Sequence, residues 1–156
     1  MTVAAALQNY LDQTGVNFDL IDHRPTYSAS QTAQASHVSG KAIAKAVLLK
    51  DEEGYLLAVL PASRQIRFDE LKSQLHRNLF MASEEEAAAK FSDCETGALP
   101  PVGEAYGLEV VLDDTLADRS DVYFEGGDHH TLLHVKGEAF NRLMDHALHG
   151  HFSLPV

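Results

Sequence analysis

The chain has 156 residues, 45% of them hydrophobic, a single cysteine and a formal charge of −11. That length suits one domain over residues 1–156, with enough buried surface to need no disulfide or metal staple, and the composition excludes a disordered chain. One cysteine cannot form an internal disulfide, no run approaches the roughly 18 apolar residues of a membrane span, and the first residues lack the basic start and apolar stretch of a signal peptide; the expected location is the cytoplasm.

In chain order, Val3, Leu7, Tyr10 and Leu11 share one face of an opening helix, with Thr2 as its cap and Gly15 as its stop. Asn17 to Asp22 alternates as a half-buried strand does, and Arg24-Pro25-Thr26 turns the chain out of it. A short helix is expected over Ser28 to Gln34, started by Ser28 or Ser30. Ala46 to Lys50 and Tyr55 to Leu60 flank Asp51-Glu52-Glu53-Gly54, which reads as a hairpin whose near-continuous apolarity suits strands covered on both faces. Phe68 to His76 fits a helix with Leu71 and Leu75 inward. Ser83 and Glu86 form a capping box opening a helix to about Phe91. After the irregular loop Gly97–Gly103, strands are expected at Leu108 to Leu112, Val122 to Phe124 and Thr131 to Val135, and a closing helix from Gly137 to His149. Strands and helices interleave without a βαβ rhythm. The fold class is therefore α+β, with a mixed, barrel-like sheet and helices around it.

Residues 24–82 hold eight basic and five acidic side chains, a surplus of three that leaves −14 for the rest. This allows a local basic face and excludes a wide nucleic-acid footprint. Lys45, at the start of an apolar strand, either reaches solvent or stands as a fixed cation at the mouth of a pocket. The Gly97–Gly103 loop is either a tight connection or a rigid segment presenting backbone N–H groups to a ligand. His130 and His134 share one strand face about 13 Å apart, too far for one metal ion. With no matching ligand spacing elsewhere, no metal site is expected. His146, His149 and His151 read as a polar, fraying helix end. No G-x-S-x-G elbow is present, and Cys94 lacks the context of a nucleophile.

In their order and spacing, KAVLLK from Lys45, GALPPVG from Gly97 and VYFEGG ending at Gly127 resemble the YbaK/ProX family, the free-standing relatives of the editing insertion in bacterial prolyl-tRNA synthetases. The resemblance spans roughly residues 22–143, including Thr32-Ala33. It implies a compact α+β editing domain that removes wrong, small amino acids from charged tRNA, on tRNA-Pro or a similar tRNA. Lys45 matches the family's active-site lysine, binding the terminal phosphate or the reacting ester. Gly97, Pro101 and Gly103 match its glycine–proline loop, and Gly127 the glycine closing the far side of the pocket. Tyr27, Leu99, Val102 and His130 are further pocket candidates. The resemblance implies no cofactor, no protein nucleophile, and attack by water assisted by the tRNA's terminal ribose hydroxyl. The implied partner is the acceptor end of an aminoacyl-tRNA, with an aminoacyl-tRNA synthetase beside it and neither DNA nor membrane. Ala46, where many members carry threonine, and Asp128-His129-His130, in place of a more basic segment, depart from the family pattern. They keep open an alternative, a non-catalytic module of the same fold that binds a small ligand or a protein.

Overall fold

A computed structural model describes residues 3–156. In chain order it contains α1 (Ala5–Thr14), β1 (Asp19–Asp22), α2 (Ala29–Ser36), β2 (Ala44–Asp51), β3 (Gly54–Pro61), β4 (Arg64–Ile66), α3 (Phe68–Leu75), β5 (Phe80–Met81), α4 (Glu84–Lys90), β6 (Glu109–Asp113), β7 (Asp121–Glu125), β8 (Thr131–Lys136), α5 (Gly137–Leu143), β9 (Leu148–Gly150) and β10 (Ser153–Pro155). The expected cap Thr2 lies outside the described residues, and α1 ends at Gly15 in the left-handed conformation. Ser28 caps α2, its hydroxyl accepting a hydrogen bond from Gln31 N.

β3 is the strand on which the molecule is built. Leu57 and Val59 point into one hydrophobic cluster with Leu7, Leu11, Leu112, Phe124 and Phe140. Leu56, Ala58 and Leu60 point into the other, with Leu49, Leu71 and Phe152. A strand buried on both faces has no polar face to alternate with, which is why its sequence is a continuous apolar run. Each leucine so buried stabilises the fold by roughly 1.5–3 kcal/mol.

The largest sheet has the order β5-β2-β3-β6-β9. β2 pairs antiparallel with β3 and β5, while β3–β6 and β6–β9 are parallel. An antiparallel three-stranded sheet, β1-β8-β7, and the β4–β10 ribbon complete the strands. The mixed α+β architecture is as expected, but the sheet is not a closed barrel. The far edge of β2 is divided between two neighbours: β5 takes the Leu49–Lys50 end, and the other end meets the second sheet only at the Ile43–Tyr123 bridge. Two sheets therefore lean together along a seam. The closing helix is also shorter than expected. α5 stops at Leu143, and His149 lies in β9 beside Leu112. Among the described residues, no helix is long and apolar enough to cross a membrane.

Candidate active site

The seam between the two sheets opens into a pocket of about 400 Å³, counted out to solvent. Its walls come from α2 (Ser28, Ala29, Thr32), the start of β2 (Ile43, Ala44, Lys45, Ala46), the loop after α4 (Gly97, Leu99), the end of β7 (Glu125) and the following loop (His129). Four separate chain segments thus meet where strand pairing fails, the usual place for a ligand cleft.

Lys45 is half-buried and its ammonium makes no hydrogen bond or ion pair with any described residue; burial alone pushes it below the ordinary value. It stays attached to the sheet by its backbone, opposite Leu60 of β3. Pairing with a completed strand fixes the Cα, while the side chain projects into a cleft with no anion assigned to it. Such a lysine is prepared for an anionic ligand.

Gly97 faces it with φ +84°, and a Cβ there would meet His129 Cε1 at 3.3 Å. The absent side chain lets the imidazole lie against the loop backbone, where His129 Nε2 donates to the Thr96 carbonyl. Tyr27, exposed to 78%, does not line the pocket; its ring packs on His129 at 5.2 Å between centroids and supports it from outside.

The other expected site residues stand elsewhere. Pro101 and Val102 are buried, and Val102 belongs to the core cluster shared with α1. Gly103 is packed against Val110, Leu108 and Leu57. Gly127, at φ +114°, has Ala4 and Cys94 as its close neighbours and accepts a hydrogen bond from Glu95 N. His130 turns to Asp128, with Nε2 3.3 Å from its carboxylate, and is nearly half exposed. His129 takes the wall position instead, because the loop bends there: its φ of +22° breaks the extended geometry that would have carried His130 inward.

Two further wall residues, Thr32 and Glu125, stand in segments that carry the family resemblance, although neither is a site candidate from its residue type alone. Thr32 Oγ1 is 3.0 Å from Glu125 Oε1 and 2.6 Å from Thr26 Oγ1, so a short donor chain runs from Thr26 through Thr32 to the carboxyl group. Burial is the main cause that pushes Glu125 up to about 7, with the charge of Asp128 adding to it.

The remaining reactive side chains are occupied. Burial pushes the Cys94 thiol up to about 12, so it is not a ready thiolate. Among the histidines, His134 lies between Asp19 and Asp121, His146 meets Glu104, and His149 and His151 share Asp114. His37 and His76 hold the left-handed caps of α2 and α3. Among the described residues, no three His, Cys, Asp or Glu side chains converge as a metal site would require.

The chain belongs to the aminoacyl-tRNA editing domain family, whose model matches residues 23–143. It is 24% identical over 140 residues to the prolyl-tRNA editing protein ProX of Acetoanaerobium sticklandii, covering 86% of this chain and 85% of that protein. It is 32% identical over 87 residues to a proline–tRNA ligase of Thermosipho africanus, where the match takes in 55% of this chain and 15% of the ligase. The crystal structure of a proposed trans-editing enzyme for prolyl tRNA synthetase superposes with a TM-score of 0.84 at 22% identity, covering 97% of this chain and 96% of that one. A proposed signal transduction protein from Marinobacter aquaeolei VT8 contains the same fold in 31% of its length, with a TM-score of 0.80 at 20% identity over 98% of this chain.

Proposed function

We propose that the protein is a deacylase that hydrolyses the ester of a mischarged aminoacyl-tRNA carrying a small amino acid. The observation that carries this is Lys45, a half-buried cation whose ammonium has no hydrogen-bond or ion-pair partner among the described residues, in the wall of a small pocket, in a chain of the editing family. Lys45 takes the terminal phosphate or the ester oxygen. The Gly97 backbone and the His129 ring form the wall facing it, and Ile43, Ala44 and Leu99 limit the side chain admitted. An aminoacyl ester is already activated, so holding it beside a water and the tRNA's own ribose hydroxyl supplies the rate without a metal or a protein nucleophile. Selection by pocket size then acts as a second sieve. The similarities to ProX and to part of a proline–tRNA ligase support tRNA-Pro as the carrier and prolyl-tRNA synthetase as the source of the error.

The test is deacylation of alanyl- and cysteinyl-tRNA bearing the proline anticodon, by wild type and Lys45→Ala. Removing a charge-stabilising group of this kind lowers kcat/KM by about 10²–10³-fold, and the melting temperature should change little, because the ammonium has no hydrogen bond or ion pair among the described residues to lose. Hydrolysis that survives the substitution would remove Lys45 from the mechanism. A folded protein inert on the whole panel would favour the binding module.

A further inference from the structure

Of the eleven residues lining the pocket, Glu125 alone is acidic, and its arrangement is incomplete in a specific way. Oε1 receives the hydrogen of Thr32. Oε2 is buried and has no hydrogen-bond partner among the described residues. Behind it stands His23, whose side chain is wholly buried. Its Nδ1 donates to the Arg24 carbonyl at 2.7 Å, which leaves Nε2 of the neutral ring an acceptor. That Nε2 is likewise unpartnered and lies 3.7 Å from Glu125 Oε1, too far to donate to it even if protonated. Two buried acceptors thus lie side by side without a donor, one of them in the pocket wall. Buried polar atoms left in this state are costly, and one that borders a pocket is a place where a ligand can supply the missing donor.

Any donor would satisfy these atoms, but only a cation carrying N–H groups would also offset the buried charge of the ionised Glu125 carboxylate. Lys45 is in the same lining, but no ion pair joins it to Glu125, and no carboxylate acts on its ammonium. The pocket therefore holds one cation and one anion apart. An aminoacyl ester has the complementary pattern: an α-ammonium at one end and phosphate and ester oxygens at the other. We propose that Glu125 binds the free α-ammonium group of the amino acid, so that an uncapped amine, and not only a small side chain, is a condition for hydrolysis. The assignment rests on the deacylase reading above. It makes Glu125 a substrate-binding residue distinct from Lys45, and it predicts that N-blocked aminoacyl-tRNAs are refused.

The groups facing Glu125 are His23 from the segment after β1, Thr32 from α2, Lys45 from β2, and Asp128 and His129 from the β7–β8 loop. Binding needs the carboxylate ionised and the amine protonated. Selectivity for the free amine should thus fall as pH drops below about 7, where Glu125 takes up its proton. It should fall again above about 8, where an α-amino group loses its own.

The experiment compares alanyl-tRNA with N-acetyl-alanyl-tRNA, each with wild type and Glu125→Gln, which keeps the size of the side chain. Wild type should favour the free amine by about 10- to 100-fold, the worth of a charge-assisted hydrogen bond. Glu125→Gln should abolish the preference by losing activity on the free amine alone. Equal loss on both substrates would place Glu125 on the reacting water and overturn the assignment, as would a wild type that treats both alike. A wild type inert on every aminoacyl-tRNA would overturn the deacylase reading itself. If the variant does not fold, calorimetry of wild type with the 3′-amide analogue of alanyl-adenosine and its N-acetyl derivative decides: tenfold tighter binding of the free amine is expected, and equal affinities refute the proposal.

Discussion

A methyl group added at Gly103 would lie 2.4 Å from Val110 Cγ2 and 3.0 Å from the Leu108 carbonyl oxygen, with Leu57 behind them. A backbone oxygen cannot step aside as a flexible side chain can, so Gly103→Ala displaces the Val110 side chain and presses on the backbone at Leu108, just before β6. Overpacking of this kind costs about 1–3 kcal/mol. For a chain of this size that lowers the melting temperature by roughly 2–4 °C per kcal/mol. Scanning calorimetry checks it, and an unshifted transition would show that the loop absorbs the methyl. Gly97, six residues earlier, has space around it except for the His129 ring. The two glycines share a loop and a sequence motif, and only the fold separates the one at the pocket from the one in the packing. Lys45 and Gly97 were legible because a lysine at the start of a buried strand and a glycine in a stiff loop are locally odd. Glu125 was not. An acid near a strand end usually faces water, and its burial depends on α2 closing over it from nearly a hundred residues away. His129 was missed for His130 because a loop bend decides which imidazole turns in.

At the scale of elements, α4 has no fully buried residue of its own, so beside the contact of Ala87 with the core and the buried Phe91 at its end it is held by polar ties. The capping box is formed in both directions, Ser83 Oγ accepting from Glu86 N and Glu86 Oε1 from Ser83 N. The second oxygen of Glu86 reaches the hairpin, accepting from Lys50 Nζ and the Tyr55 hydroxyl, each at 2.7 Å. The Lys50 ammonium leads the causes that hold the Glu86 carboxyl down to about 2, against an ordinary 4.5. A carboxylate depressed in the folded state contributes stability above its unfolded pKa and loses it as pH falls through the folded one. The window therefore runs from about 4.5 down to about 2, and Asp51, held down to about 2 by Arg77, loses its contribution over a similar range. Glu86→Gln should lower the melting temperature near pH 6 and narrow the difference between about pH 6 and about pH 3; an unchanged acid sensitivity would remove Glu86 from acid unfolding. The capping box and the hairpin were plain in the sequence because every partner is local. β4, β5, β9 and β10 were not. They are two or three residues long, and pairings such as Ser153–Ile66 exist only because the last residues of the chain return to its middle.

For the molecule as a whole, a charge of −11 sets what kind of nucleic-acid complex it can form. The pocket lining holds one residue that is positive at neutral pH, Lys45, and one ionisable carboxyl, Glu125. Most of the remaining surface repels phosphate, since the segments outside residues 24–82 carry −14. A tRNA body spread across such a surface would meet repulsion along its length. On the proposed function, its single-stranded acceptor end would enter the seam between the sheets and meet Lys45, the one residue of the lining that is positive at neutral pH. Single strands release about 0.7 counterion per neutralised phosphate, so contact with one to three phosphates gives a log–log salt slope between roughly −0.7 and −2. Measured between 50 and 200 mM salt, kcat/KM on alanyl-tRNA should thus fall by about 3- to 20-fold, and an acceptor-stem minihelix should show the same slope as the full tRNA. A slope steeper than about −4, or one that collapses when the tRNA body is removed, would mean that a basic face elsewhere holds the tRNA, and that the acidic surface is turned away from it in the complex.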